Sequence, residues 1–210
     1  HWNILNLACT NATIVNGLFG TEGINGVDVE PQLTGLQRAT GERTVLVSIG
    51  ANEMHWANLM ELCLAATSSA CDDAASAAWF QQALDSFTVD YYDLLVQLAA
   101  LPDHPRVVIN EYYAPLSAHP SCPDTFHVTQ AKADTLLARL DAFNGVLHDG
   151  AVGFGFEAVQ PSFAGHELCT DQPWVQGPGD AAPLHPNAAG ELAIAFADQQ
   201  VLSRPRPSPS

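Results

Sequence analysis

The chain alternates short apolar runs with longer segments in which apolar residues recur at helical spacing. Residues 3–8, 44–49 and 106–111 are apolar and partly β-branched, the pattern of strands covered on both faces. Residues 151–159 carry a fourth such run, weakened as a strand by Gly153 and Gly155. Between the runs, residues 79–101 place Phe80, Leu84, Phe87, Tyr91, Leu94, Leu95 and Leu98 on one helical stripe. Residues 128–147 repeat the pattern with Leu136, Leu137, Leu140 and Phe143. Pro102 and Asp103 end the first helix, and Gly150 follows the second. Asn187 is a good N-cap for a third helix over residues 188–202, where Leu192, Ile194, Ala195, Phe196 and Val201 supply the apolar content. Strands alternating with helices predict an α/β fold, a parallel sheet between helical layers, with ligands met at the carboxyl ends of the strands. We find no internal repeat.

Composition narrows the function classes. At 210 residues, 47% hydrophobic and 14% charged, the chain can bury a sizeable core, and residues 1–202 read as one domain. Residues 203–210, rich in proline and serine, have linker composition and are expected to be disordered. The net charge of −16, from 23 acidic and 7 basic residues, argues against nucleic acid or an anionic membrane surface as a partner. Most of the acids are scattered, as on a solvated surface. No apolar run approaches a membrane span, so stable insertion is not expected, and no signal peptide is visible. The chain opens on His1 rather than Met, which suggests that an upstream segment has been removed.

Five cysteines stand at positions 9, 63, 71, 122 and 169, without a Cys-x-x-Cys pair or zinc-ligand spacing. Joining Cys63 to Cys71 would close a short loop, and Cys122 to Cys169 a long one. This usage favours disulfides and an oxidising compartment, with buried reduced thiols as the alternative. Cys9 is then left over, either free or bonded to a partner outside the sequence.

Chemistry concentrates at loops. In Pro183-Leu184-His185-Pro186, each proline restricts the residue before it to extended backbone, which suits a short rigid loop ahead of the last helix. An imidazole held there can accept and return a proton near neutrality, although a surface-loop histidine is the structural alternative. The run 44–49 feeds Gly50-Ala51-Asn52-Glu53, where glycine permits a tight turn and close backbone approach and the Asn52 carboxamide offers N–H donors to a developing oxyanion. A capped turn is the alternative there. A second set of donors, from the backbone, is expected at Cys9-Thr10-Asn11-Ala12-Thr13. His55 and Trp56 are candidates for a pocket wall or for simple packing.

Four segments, taken in order, carry a resemblance. Leu5-Asn-Leu-Ala-Cys-Thr-Asn-Ala-Thr13, Ser48-Ile-Gly-Ala-Asn-Glu53, Gly165-His-Glu-Leu-Cys169 with Trp174-Val175, and Leu184-His-Pro-Asn-Ala-Ala-Gly190 follow one another as in secreted SGNH (GDSL) hydrolases. The chain resembles the disulfide-containing bacterial esterase/lipase branch from its first run to its last helix. The resemblance implies a flavodoxin-like α/β/α fold and a serine acyl-enzyme mechanism acting on a small-molecule or lipid ester, in a secreted protein that needs neither metal nor organic cofactor. It implies His185 as general base, Asn52 as side-chain oxyanion donor, and Asn11 and Gly50 as the backbone side of the oxyanion site. Glu53 stands where the family usually has Asp.

Two departures stand out. The family nucleophile belongs to a Gly-Asp-Ser segment on a first strand, and no Gly-Asp-Ser occurs here. Ser48 reads as a buried strand serine, and Ser117, Ser121 and Ser162 have no supporting motif. Three residues before His185, where the family often has Asp, stands Ala182, so the resemblance implies its main-chain carbonyl as the group orienting the imidazole. Asp180 is the one nearby carboxylate that could replace it.

The same branch leads one to expect three disulfides, two fitting as Cys63 to Cys71 and Cys122 to Cys169, with Cys9 bonded to a cysteine upstream of His1. In flavodoxin-like order the lost strand lies between runs 3–8 and 44–49. Either those runs pair directly in a contracted sheet, or the native protein carries an upstream segment. A five-stranded sheet built from these residues alone would refute both. His166 and Glu167 do not form a zinc-hydrolase motif, and Trp174 is expected to cover the site or pack on the disulfide at Cys169. The rival to an esterase is a non-catalytic binding or structural domain that keeps the fold.

Overall fold

A computed structural model describes residues 3–24, 26–39, 41, 44–64, 71–123 and 126–206. A ribbon of β1 (Glu22–Ile24) and β2 (Val27–Val29) leads to the short helix α1 (Gln32–Arg38) and strand β3 (Thr44–Val47). Helices α2 (Trp56–Leu64) and α3 (Ala74–Ala99) follow, then β4 (Arg106–Asn110), α4 (Gln130–Gly153), β5 (Glu157–Val159) and α5 (Ala188–Leu202). Strands β3, β4 and β5 pair in that order, both pairings parallel, with Val45 opposite Val107 and Ile109 opposite Ala158.

The period-2 alternation of β4 explains the layering. Val107 and Ile109 enter the main core with Leu94, Leu95 and Leu98 of α3 and Leu136, Phe143 and Leu147 of α4. On the other face, Arg106 donates to the carbonyls of Val201 and Leu202 at the end of α5, and Asn110 lies 3.4 Å from Asp198 of the same helix. Helices therefore cover both faces of β4, whose five residues are all buried, and the architecture is a three-layer α/β/α sandwich.

Local chemistry starts each long helix. Asp73, Thr129 and Asn187 cap α3, α4 and α5 by accepting backbone N–H groups of their first turns. All seven apolar residues of the expected α3 stripe are buried, and each contributes about 1.5–3 kcal/mol of burial free energy relative to exposure. Two disulfides are formed, Cys63–Cys71 and Cys122–Cys169, with separations of 8 and 47 residues. By loop entropy they stabilise the fold by roughly 2.5 and roughly 4 kcal/mol.

Several expectations need correction. Residues 3–8 form no strand: among the described residues they pair with nothing, and Ile4 and Leu5 are 89% and 60% exposed. A strand exists through its ladder, and no described segment lies beside this one to complete it. Among the described residues the contracted sheet is thus absent, and so is a five-stranded one. The run 151–159 divides between two elements, because α4 continues to Gly153 and Gly155 reverses the chain at φ +72° before β5. The glycines that weakened the strand reading mark a helix end and a turn. Residues 203–206 are tied down rather than disordered, with the Arg206 guanidinium donating to the carbonyls of His104 and Pro105. Residues 207–210 lie outside the described residues.

Candidate active site

Beyond the carboxyl end of β3 the chain turns at Gly50, which has φ +113°. A Cβ there would sit 2.6 Å from the Phe143 ring and 2.8 Å from that of Phe87, so both conformation and space demand glycine. The turn is helical, Met54 N–H donating to the Gly50 carbonyl and Trp56 N–H to that of Ala51, and it runs into α2. Exposed Asn52 donates through Nδ2 to the Ala12 carbonyl at 2.8 Å. An amide has two such hydrogens, and no hydrogen bond among the described residues uses the second.

Glu53 grips the same loop by accepting the Ile14 N–H at 2.6 Å. Its Oε2 is buried without a partner, and desolvation raises the carboxyl pKa above the ordinary 4.5. Within the gripped loop Asn11 adopts φ +63°, a left-handed conformation that asparagine tolerates better than most residues. Among the described residues no hydrogen bond uses the Asn11 N–H. The Gly50 turn and the Asn11 loop enclose a cavity of about 100 Å³ lined by Ala8, Cys9, Ala12, Ser48, Gly50 and Asn52, with Tyr112 beside them. The thiol of Cys9 is free among the described residues.

Ser48 is not the buried strand serine expected. It lies one residue past β3 and is exposed, because Leu46 and Ser48 point to the face of β3 that no described element covers. Its hydroxyl bonds that of Tyr112, which also accepts the Ala51 N–H at 3.2 Å. Burial pushes the Tyr112 phenol up to about 12. Asn144 of α4 clasps the Tyr112 backbone on both sides at 2.8 Å, and the ring stacks on Phe143.

His185 sits on a short ribbon. Leu184 N–H donates to the Gln176 carbonyl, Gln176 N–H to that of His185, and Asn187 N–H to that of Trp174. Glycine is required again at 190, where a Cβ would lie 2.5 Å from the Trp174 carbonyl oxygen. The imidazole is exposed, and its Nδ1 lies 3.1 Å from the Pro183 carbonyl oxygen. A carbonyl only accepts, so in this contact Nδ1 bears a hydrogen.

The carbonyl that the imidazole meets is that of Pro183 rather than Ala182. The Ala182 oxygen accepts the backbone N–H of His185 at 3.2 Å, closing a turn that directs the side chain to the carbonyl two residues back. The Asp180 carboxylate accepts the Gly177 N–H at 2.7 Å, and among the described residues no hydrogen bond joins it to His185.

The structure joins the Asn52 turn to the Asn11 loop directly, and ties the His185 ribbon to the end of β4 through Tyr113, whose hydroxyl donates to the Leu184 carbonyl at 2.9 Å. Among the described residues no hydrogen bond links His185 to Asn52. His55 packs its ring against Trp79, a packing role. Trp174 stacks on His166 at 3.9 Å and meets Phe163 edge-on. His166 Nδ1 lies 2.8 Å from the Gln172 carbonyl, Glu167 accepts the Gly165 N–H, and no group of three or more potential metal ligands exists among the described residues. Sequence reasoning missed Tyr112 and Tyr113. Their signal was position: they follow a predicted strand at its carboxyl end, where an α/β sheet displays functional groups.

No family model matches the chain. It is 30% identical over 159 residues to a lipase of Streptomyces rimosus, covering 72% of this chain and 57% of that protein. It is 28% identical over 167 residues to lipase 1 of Streptomyces coelicolor, covering 76% and 59% respectively. The alignments thus span less than two thirds of the length of these relatives. Among solved structures, an extracellular lipase from Streptomyces rimosus matches with a TM-score of 0.74 at 23% identity, covering 91% of this chain and 79% of its own. A phospholipase A1 from Streptomyces albidoflavus matches with a TM-score of 0.69 at 20% identity, covering 93% and 77%.

Proposed function

We propose that this chain, which belongs to the SGNH (GDSL) hydrolase family, forms the greater part of a secreted carboxylic ester hydrolase acting on lipid esters. The relatives are named lipases and a phospholipase, and two disulfides suit an oxidising compartment. The observation that carries the reading is the His185 imidazole, set against an acceptor-only carbonyl on a ribbon tied to the same end of the sheet at which Asn52 meets the Asn11 loop. That is a histidine with one ring nitrogen held, at the end of the sheet where a set of N–H donors also lies.

In the reaction, Nε2 of His185 takes the proton of a serine hydroxyl as its oxygen attacks the ester carbonyl. The Pro183 carbonyl holds Nδ1–H and stabilises the imidazolium, the role a triad carboxylate plays elsewhere. The oxyanion of the tetrahedral intermediate accepts the second Asn52 N–H and the backbone N–H of Asn11. Collapse expels the alcohol, which takes the proton back from His185, and water repeats the sequence on the acyl-enzyme.

The serine belongs to a Gly-Asp-Ser segment upstream of His1, on a strand that pairs with the free edge of β3. The unpaired edge, the half-exposed Leu46, and the free Cys9 beside the cavity with Asn52 all support this placement. Cys9 then bonds a cysteine of that segment. Hydrolysis of a short p-nitrophenyl ester by the longer chain tests the reading. His185→Ala lowers kcat on the order of 1,000-fold and Asn52→Ala about 100-fold. Full activity in His185→Ala overturns the role of the base, and undiminished activity in residues 1–210 alone overturns the placement of the nucleophile. A longer chain inert toward every ester tried is the non-catalytic domain instead.

A further inference from the structure

Residues 182–186 are held by a dense set of hydrogen bonds, but nearly all of them are local. Ala182 N–H donates to the Gln176 side chain, Leu184 N–H to the Gln176 carbonyl, and Gln176 donates in turn to the carbonyls of His185 and Pro186. These bonds fix the ribbon to itself, and residues 174–176 belong to a loop rather than to the parallel sheet. One hydrogen bond among the described residues reaches from 182–186 to the end of a sheet strand: Tyr113 Oη to the Leu184 carbonyl at 2.9 Å.

From this we infer that Tyr113 is a positioning residue for His185, and the inference rests on the reading of His185 as general base. The Leu184 carbonyl belongs to the peptide unit whose N–H is that of His185, and that N–H is already committed to Ala182. Tyr113 therefore fixes the other end of the peptide plane from which the imidazole projects. Leu184 needs such a hold, because it adopts φ +66°, a left-handed conformation that a leucine side chain resists. Released, the residue drifts toward ordinary backbone and carries the imidazole with it.

Tyr113 is itself immobile. It follows Tyr112, whose backbone Asn144 clasps on both sides, and its ring lies flat on the buried Phe163 ring at 4.0 Å and 9°. The hydroxyl is thus referenced to the end of β4 and to α4, the frame that also holds the Asn52 turn through Tyr112. Consecutive residues send one hydroxyl to each half of the site, and their fixed geometry sets the spacing between base and oxyanion donors. A displacement of about 1 Å in a base costs as much as 100-fold in rate, which gives this hydrogen bond its leverage.

The test is Tyr113→Phe in the longer, active chain, which keeps the ring on Phe163 and removes only the donor. Expected are a fall in kcat of about tenfold, KM within about twofold, and a histidine ¹⁵N spectrum in which His185 loses its single Nδ1–H tautomer. Active-site titration and thermal unfolding of the same variant show whether it is fully folded. Wild-type kcat with an unchanged tautomer overturns the inference, as does a lower kcat that merely follows a lower titre of active sites. His185→Ala, run alongside, separates the two failures. If it retains activity the base assignment is wrong, whereas if it is dead and Tyr113→Phe is normal, only the role of Tyr113 falls.

Discussion

Adjacent strands of one sheet meet their surroundings in opposite ways. All five residues of β4 are buried, and its side chains alternate between the core under α3 and α4 and the last turns of α5. One strand over, β3 has an edge that no described strand pairs with, Leu46 is 49% exposed, and Ser48 beyond it is exposed too. Parallel strands are stable when neighbours and helices cover them, and the proposed upstream strand would supply that cover for β3. The candidate site straddles this divide. His185 hangs from the covered half through Tyr113, while Asn52 and Asn11 stand at the border with the open one.

Mutations on the two sides should therefore differ in cost. The largest loss is expected from Phe143→Ala, which empties the space between Phe87, Tyr112 and Gly50 and should cost about 4 kcal/mol in denaturant unfolding. A loss under about 1 kcal/mol would mean the covered half is not close-packed. Next comes Glu157→Ala, which strips a largely buried Arg106 guanidinium of its paired carboxylate and should cost about 3 kcal/mol. Equal midpoints for variant and parent would place that pair at the solvated surface.

Leu46→Ala sharpens the contrast most, because its cost should depend on the length of the chain. In residues 1–210 it should cost less than about 0.5 kcal/mol, as an exposed site does. In a longer chain that covers β3 it should cost about 2 kcal/mol. The same small value in both would break the claim that β3 is a covered strand in the whole protein.

The smallest expected effect is a gain. Asp198 is buried against Asn110, and among the described residues one oxygen of each side chain lacks a partner. Desolvation raises the Asp198 pKa above the ordinary 3.8, so the folded state holds the proton more tightly than the unfolded one. Stability then falls as pH rises from the ordinary value through the raised one, and stays low above it. Asp198→Asn removes that fall and lets two amides exchange hydrogen bonds. It should stabilise the protein by about 1 kcal/mol at neutral pH and by little in acid below 3.8. Urea midpoints at both pH values check this, and a variant weaker than the parent at neutrality would contradict it.

Helix α5 was legible to the residue, because a side-chain cap and helical spacing are local signals and Asn187 supplies both. The α3 stripe was legible as well, although its start at Ala74 was missed by five residues, since alanines carry no face of their own. What failed was non-local. Residues 3–8 have the composition of a strand, but pairing depends on a neighbour, which composition cannot supply. Choosing between the carbonyls of Ala182 and Pro183 required the turn geometry at Leu184, a left-handed residue that nothing in its type announces. The hydroxyls of Tyr112 and Tyr113 act across sequence separations of 61 and 71 residues, beyond any local pattern.

The central claim is that His185 serves a nucleophile carried by the strand that completes β3. Labelling the longer chain with a fluorophosphonate and mapping the modified peptide tests it most directly. The account predicts a single adduct, on a serine of a Gly-Asp-Ser segment preceding His1, and its loss in His185→Ala. An adduct on Ser48, or on any other serine of residues 1–210, would contradict it.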